Sequence, residues 1–596
     1  MPPENIRQFA KDITLHDWSD VLNTEDIDIK VNNFHTYIRS LLNKHFPEKT
    51  VRISSLDKGW MSPKVKIAHR KMQRAYFRQG KSSRWRKLKK AYKKLKHRRI
   101  KTYYSDFVCD LKKSNPGRWY QQAKKIGAVG QQTDGDILVE ELQGLDNKNS
   151  AQKIAEYFAS VSNEYSPVDH SQLPCYLPSP APMQLEEYQV YEKIKNQKNT
   201  KSTLPIDIPD KLRKMFAAEL TTPLTSILNQ CLKQQYYPEQ WQYEWVTPVP
   251  KVTHPKILKD LRKIACTSDY NKLFEGFLKD WLLEDIGKNM DLGQFGGQAG
   301  TGTEHMIVCL INRILYLLDR HPDKSAVIAA FIDWASAFDR QDPTLSIQKF
   351  ISIGVRPSLI PILVSYLSKR KMKVKFNGAE SESLSLVGGG PQGSLIGQIM
   401  YLVQSNDNAD MVAPEDRFKY IDDLSVLQIV SLAGILSSYN FKLHVASDIG
   451  VDQLYLSPSN YETQSTLDSI TSWTNHNLMM LNEAKSNYMI FSRSEENFAT
   501  RLKLNNAKLD RISVTKLLGV WISEDLSWEK NTKEICIKAF SRLSMITKLK
   551  YVGVPTEDLL DIYILFIRSC TEYCAVAFHS SLTQDQTIQL ERIQKV

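Results

Sequence analysis

Three stretches of this sequence combine residue types that chemistry can use. The first, Ala326-Val327-Ile328-Ala329-Ala330-Phe331-Ile332-Asp333, reads as a buried strand closed by a carboxylate, with Trp334-Ala335-Ser336-Ala337-Phe338-Asp339 directly behind it. An acid ending an apolar strand is costly unless it is paired, bound to a cation or capping a helix. Asp333 therefore has two readings, cation ligand and helix N-cap. The second, Phe418-Lys419-Tyr420-Ile421-Asp422-Asp423-Leu424-Ser425-Val426-Leu427, predicts a strand, turn, strand hairpin with Asp422 and Asp423 at its tip. Adjacent carboxylates repel unless a cation sits between them, although such pairs are also common in surface turns. The third, Gly388-Gly389-Gly390-Pro391-Gln392-Gly393-Ser394, lets backbone approach a ligand closely, ahead of an apolar helix over 395–403. Residues 296–303 are also glycine-rich, but they lack the Gly-Lys-Ser/Thr ending of a phosphate-binding loop and read as a turn before a helix over 306–318.

In this order and spacing the three segments resemble those of reverse transcriptases. Residues 331–339 match polymerase motif A, 389–394 motif B, and Tyr420-Ile421-Asp422-Asp423 motif C. Leu481-Asn482-Glu483-Ala484-Lys485 resembles motif D, and Leu517-Leu518-Gly519-Val520 the primer-grip hairpin of motif E. Trp245-Val246-Thr247-Pro248-Val249-Pro250-Lys251 and Asp260-Leu261-Arg262-Lys263-Ile264 resemble the two fingers motifs. The finer likeness is to non-long-terminal-repeat retrotransposons of the jockey-like or chicken-repeat-like branch. Tyr237-Pro238-Glu239-Gln240-Trp241, Gln294-Phe295-Gly296, Ala337-Phe338-Asp339 and Leu590-Glu591-Arg592-Ile593-Gln594-Lys595 carry it. Two positions depart from the family: Lys263 stands where a proline is usual, and Tyr-Ile-Asp-Asp where Phe-Ala-Asp-Asp is usual. Both leave the charged atoms in place.

The resemblance implies an α/β (α+β) right-hand polymerase fold with fingers and palm, preceded by a basic, mainly helical region. It implies an RNA-directed DNA polymerase that extends a primer 3′-hydroxyl on an RNA template with deoxynucleoside triphosphates. Two Mg²⁺ ions about 4 Å apart suit such a transfer, with Mn²⁺ as a substitute. Asp333 and Asp422 are the expected ligands of both ions, with Asp423 assisting. Lys251 and Arg262 would neutralise the triphosphate, Gln392 would contact the nucleotide or templating pair, and Lys485 would lie near the leaving group. Phe338 would clash with a ribose 2′-hydroxyl. Enzymes that make RNA from RNA carry, by the same resemblance, an Asp at that position and a Gly before the Asp pair, so Phe338 and Ile421 favour DNA synthesis. A ribonuclease H set is not seen. An endonuclease usually precedes this region and a thumb continues beyond its end, so a truncated copy or fragmentary gene is expected, with a separate endonuclease as a further partner. The competing readings are a weakened remnant that only binds RNA and, more remotely, an RNA-dependent RNA polymerase or telomerase-like enzyme.

Positioning these groups requires a substantial body, and the 596 residues, 42% of them hydrophobic, supply one. The net charge of +13 points to a polyanionic partner. It is unevenly placed: residues 64–126 hold 23 Lys or Arg and two acids, a local +21 against −8 for the rest. Within this window Trp85, Leu88, Tyr92, Leu95, Tyr103 and Phe107 repeat at helical spacing, and basic residues fill the other faces. Like charges at i, i+4 destabilise such a helix alone, and a nucleic acid would relieve them. Lys87, Lys89, Lys90, Lys93, Lys94, Arg98 and Arg99 are the candidate contacts; a solvated helix is the bland alternative. Asn115-Pro116-Gly117 predicts a turn and residues 151–163 a helix. The expected organisation is a basic RNA-binding region over 1–130, a connector over 131–199 with a proline-bearing linker at 166–182, fingers over 200–330, palm over 331–545 (polymerase core 234–522), and an incomplete thumb over 546–596. The eight scattered cysteines exclude a disulfide scaffold and suit buried, reduced thiols. With no signal peptide, no apolar run long enough to span a membrane and hence no membrane partner, the chain is expected inside the cell, in nucleus or cytoplasm.

Overall fold

The computed structural model describes residues 2–47, 60–114, 116–127, 139–174, 183–197, 204, 207–320, 325–431, 458–493, 502–551 and 553–595. Residues 131–138 of the expected connector and 175–182 of the expected linker lie outside them. The described chain mixes helix and sheet. It divides into two compact units, Met1–Glu48 with Ile137–Ser513, and Lys49–Asp136 with Val514–Val596. The expected regions run in chain order, whereas these units interleave.

The first unit holds two five-stranded sheets. One contains β1 (Tyr243–Pro250), β2 (Leu261–Cys266), β4 (Lys371–Phe376) and β5 (Ala379–Glu380) in the order β2-β1-β4-β5, with β6 (Leu384–Ser385) also paired to β4. The two segments likened to fingers motifs are the antiparallel pair β1–β2, with Pro248 opposite Lys263 and Val249 opposite Arg262. The other sheet is built on β3 (Ser325–Ile332). Its order is β12-β9-β3-β8-β7, from β12 (Asp510–Arg511), β9 (Asn487–Ser492), β8 (Asp423–Ser431) and β7 (Arg417–Tyr420). Strand β3 pairs on both edges and is buried from Ala326 to Ile332, which is why its sequence runs apolar without alternation. A small hairpin, β10 (Lys503–Leu504) with β11 (Ala507–Lys508), lies outside this sheet.

Helices Ala217–Gln234, Asp269–Ile286 and Leu395–Gln404 build the larger core of this unit. The N-terminal helices Pro3–Leu15 and Ile27–His45 join it through Phe9, Phe34 and Ile38, beside Tyr237, Trp241 and Tyr270. The N-terminal helices therefore belong to the helical core of this unit.

In the second unit, helices Pro63–Gln79 and Ser83–Tyr103 are joined at Gly80, whose φ of 58° suits glycine. Ser82 caps the second helix by accepting from the Trp85 amide at 3.3 Å. The expected stripe is half-buried at Tyr92, Leu95 and Tyr103, and the helix continues into a π-helical turn, Tyr104–Val108. Ile100, Tyr104 and Trp119 share a core with Met545, Leu549 and Phe566. The Tyr104 hydroxyl donates to Asp558 at 2.6 Å and receives the Trp119 indole N–H at 3.1 Å. Of the turn predicted at 115–117, Asn115 lies outside the described residues, and Pro116 and Gly117 instead open helix Pro116–Gly127, because proline suits the first helical position. Helix Asn147–Ser162, in the first unit, covers most of the helix expected at 151–163. β13 (Val514–Leu517) and β14 (Val520–Ser523) form a hairpin through Leu518 and Gly519, both at positive φ. The seven described cysteines are free, yet only Cys231 and Cys574 are buried, so the expectation of buried thiols holds for these two alone. No described helix is long and apolar enough to cross a membrane.

Candidate active site

The acids meet at one end of β3. Ile332 pairs with Leu424, so one further step of this antiparallel register sets Asp333 opposite Asp423. Tyr420 pairs with Asp423 across the β7–β8 hairpin, leaving Ile421 and Asp422 as its two-residue turn. Ile421 has φ 59°, a strained value for a β-branched residue, costing of order 1–3 kcal/mol. The hairpin is braced from beside it: the Gln294 side-chain carbonyl accepts from the amides of Gly296 at 3.0 Å and Ile421 at 3.2 Å. A Cβ on Gly296 would stand 2.5 Å from the Ile421 nitrogen, so only glycine fits there. The stretch expected to be a plain turn is thus a support for the hairpin tip. At the hairpin base Arg417 and Lys419 both pair with buried Asp291, at 2.7 and 2.6 Å.

No helix follows Asp333, so the N-cap reading is not realised. Its Oδ2 instead accepts from the Asn482 amide group at 2.7 Å and lies 3.7 Å from Lys485 Nζ. Its backbone N–H donates to Ser486 at 3.1 Å and its carbonyl receives the Asn482 N–H at 2.8 Å. Burial pushes the Asp423 carboxyl up to about 6, with Asp422 and Asp333 adding to the rise. Asp422 keeps exposed surface at the hairpin tip but is ringed by protein at longer range. This desolvation raises its carboxyl, Asp333 adds to it, and Arg262 and Lys485 oppose it. All three acids act on the buried Tyr401 hydroxyl, which burial has already raised.

Arg262 and Lys485 act on Asp422 and also on Lys251. Lys251 is lowered by desolvation, then supported by Asp339 and opposed by Lys485 and Arg262. The Phe338 ring stacks on Tyr401 with centroids 5.0 Å apart. Gln392 is half-buried and its carbonyl accepts from the Ala265 amide at 2.9 Å, tying the glycine-rich loop to β2. Gly393 lies against the same residue, where a Cβ would stand 2.3 Å from the Ala265 carbonyl oxygen. Asp333, Asp422, Asp423, Lys251, Arg262, Phe338, Gln392 and Lys485 all lie in the first unit. Lys87, Lys89, Lys90, Lys93, Lys94, Arg98 and Arg99 lie on helix Ser83–Tyr103 in the second. Lys89 sits 4.4 Å over the Trp85 ring, Arg99 is half-buried, and the other five are exposed.

Sequence reasoning misses several supports. Asn482 and Ser486, which grip Asp333, sit in or beside the segment likened to motif D. Glu275, on helix Asp269–Ile286, receives the Leu395 N–H at 2.7 Å and so anchors the helix after the glycine-rich loop. Glu244 and Arg370 are 2% and 1% exposed at the side chain, and their pairing across β1 and β4 has no sequence signal beyond charges beside apolar runs.

The donor set tests well against a hard divalent cation: three carboxylates on adjoining strand ends, each unfavourable beside the others. Among the described residues no three His, Cys, Asp or Glu side chains already meet at one metal position; Asp333 is turned toward Asn482 and Lys485.

No protein-family model matches the chain. It is 25% identical over 398 residues to a protein of Drosophila melanogaster named "Probable RNA-directed DNA polymerase from transposon BS", covering 65% of this chain and 41% of that one. It is 24% identical over 358 residues to the "Probable RNA-directed DNA polymerase from transposon X-element" of the same species, covering 59% and 36%. With the "RNA-directed DNA polymerase from mobile element jockey" it shares 21% identity over 481 residues, 75% of this chain and 49% of that protein. The chain thus spans less than half the length of these relatives. By its ordered motifs and by these comparisons, it is similar to RNA-directed DNA polymerases of Drosophila mobile elements, jockey among them.

Proposed function

We propose that this chain is an RNA-directed DNA polymerase of a retrotransposon, adding deoxynucleotides to a primer 3′-hydroxyl on an RNA template. The observation that carries the reading is that Asp333, Asp422 and Asp423 lie at the same end of β3, with Arg262 and Lys485 acting on Asp422. Asp333 and Asp422 would hold two Mg²⁺ ions, with Asp423 assisting and Mn²⁺ able to substitute. Bound there, the ions supply activation of the primer hydroxyl and charge stabilisation of the departing pyrophosphate. Lys251 and Arg262 neutralise the triphosphate, and Lys485 serves the leaving group. Phe338, held flat on Tyr401, blocks a 2′-hydroxyl, and Gln392 faces the nucleotide or its templating partner.

In this reading residues 200–330 act as fingers, 331–545 as palm and 546–596 as part of a thumb. The exposed lysines of helix Ser83–Tyr103 hold RNA by its phosphates. A separate endonuclease would provide the primer end.

Primer extension on an RNA template with deoxynucleotides and Mg²⁺ tests this. Asp422→Ala is expected to lower extension roughly a thousandfold, about 4 kcal/mol of transition-state stabilisation, while RNA binding persists. No extension by the wild type, or equal extension by Asp422→Ala, refutes the reading. Extension with ribonucleotides in preference assigns RNA synthesis instead.

A further inference from the structure

Lys263 occupies the one fingers position where the chain departs from the family likeness, and it is almost wholly buried, with 1% side-chain exposure. A buried ammonium is costly unless it is paired. Its Nζ lies 3.5 Å from Glu244 Oε2 and 3.7 Å from Asp339 Oδ1. Lys263 is the first of three cations, ahead of Lys251 and Arg370, that draw the Asp339 carboxyl down against its burial, and on Glu244 it acts second to Arg370. Arg370, also buried, donates from Nε to Glu244 Oε1 at 3.0 Å and from its terminal nitrogen to the carbonyls of Gly388 and Gly389. Two cations and two anions thus offset one another in a cluster, buried at Glu244, Lys263 and Arg370 and with Asp339 19% exposed at its edge, that joins β1, β2, the start of β4, the glycine-rich loop and the segment after β3.

This cluster reaches the nucleotide site through short links. Asp339 is the neighbour of Phe338. The Phe338 carbonyl accepts from the Gly390 amide at 2.7 Å, and the Gly389 amide donates to Gln341 at 2.8 Å. Gly389, at φ 78°, lies so close that a Cβ would stand 2.8 Å from the Asp339 carbonyl oxygen. Residues 338–341 and 388–390 are therefore fastened together, with Lys263 and Arg370 at the two sides. A proline at 263 has no ammonium and could pair with neither acid.

We infer that Lys263 is a positioning residue: by holding Asp339 it fixes the Phe338 ring and the glycine-rich loop against the nucleotide, and so sets the preference for deoxyribonucleotides over ribonucleotides. The inference rests on the polymerase reading above. Small displacements of a gating ring are enough to change discrimination by an order of magnitude.

Single-nucleotide incorporation by the full chain on an RNA template tests it, with deoxy- and ribonucleotides measured in parallel. Lys263→Met is expected to raise KM for the deoxynucleotide about tenfold and to reduce the deoxy-to-ribo preference about tenfold, with kcat changed much less. Lys263→Arg should keep most of the preference. Lys263→Met with Asp339→Asn removes one cation and one anion together, so its melting temperature should stay near wild type while its preference stays reduced. Unchanged KM and preference in folded Lys263→Met would overturn the inference. So would losses of kcat that follow thermal stability across all variants at constant preference. If the wild type extends no primer at all, the polymerase reading falls and the inference falls with it.

Discussion

Replacing Glu275 by glutamine isolates the charge of a single buried carboxyl. Glu275 has no exposed surface. It accepts from the Leu395 amide at 2.7 Å, the Asn271 side chain at 3.1 Å and the Tyr366 hydroxyl at 3.2 Å. Burial pushes it up to about 7 from an ordinary 4.5, although these hydrogen bonds and Lys272 pull the other way. A carboxyl whose pKa is raised on folding favours the neutral form in the folded state. Its contribution is fully present below pH 4.5, is lost as the pH climbs to about 7, and changes no further above that. At 1.36 kcal/mol per pH unit the loss is roughly 3 kcal/mol. A glutamine side chain does not titrate. The stability of Glu275→Gln relative to wild type should therefore improve by roughly 3 kcal/mol between about pH 4.5 and pH 7.5, read by urea unfolding at fixed ionic strength. Asp207, also pushed to about 7 by burial and the nearby charge of Asp269, titrates in the same window. It is present in both proteins and cancels in the difference. A difference that stays flat within about 1 kcal/mol across this range would refute the assignment of a neutral carboxyl at 275.

Three other changes probe the site and the basic helix. Gly296→Ala should displace the hairpin tip, because the Ile421 backbone nitrogen blocks the new methyl at 2.5 Å; extension should fall at least tenfold while RNA affinity holds, measured by extension and filter binding. Asn482→Ala frees Asp333 from its 2.7 Å orienting bond and should raise the Mg²⁺ concentration for half-maximal extension by about tenfold or more in a metal titration. Changing exposed Lys87, Lys90, Lys93 and Lys94 to glutamine should flatten the salt dependence of RNA binding, by about 0.7 to 0.9 in log–log slope for each phosphate no longer neutralised; an unchanged slope removes this helix from the RNA-binding surface.

The parts of the site that are readable in sequence are those whose signal is local. The apolar run before Asp333 requires a strand buried on both faces, and β3 lies between β8 and β9. The paired acids between apolar runs require a tight hairpin, and Asp422 and Asp423 occupy its turn and first strand residue. What escapes is non-local or opposite in sense to residue type. Residues 296–303 read as a passive turn, because a glycine's need to admit a distant stretch of backbone leaves no trace nearby; Gly296 makes room for Ile421, far along the sequence. Glu244, Lys263 and Arg370 are charged and would ordinarily lie outside, yet each is buried because the others neutralise it.

The basic window shows the same limit from the other side. Its charge of +21 is fixed by composition, but composition does not say which of those cations are free to meet a polyanion. Lys112 is not: its Nζ pairs with Asp558 at 2.7 Å and with Asp561, which raises its own pKa and ties the window to helix Thr556–Ile562 across more than 440 residues of sequence. Tyr104 and Trp119 reinforce the same contact through Asp558. The basic segment therefore shares its core with C-terminal helices. The number of its charges that answer to salt is smaller than the count in the sequence. The exposed lysines 87, 90, 93 and 94 should carry the salt dependence, and Lys112→Gln should instead lower the stability of this unit while leaving the salt slope of RNA binding unchanged.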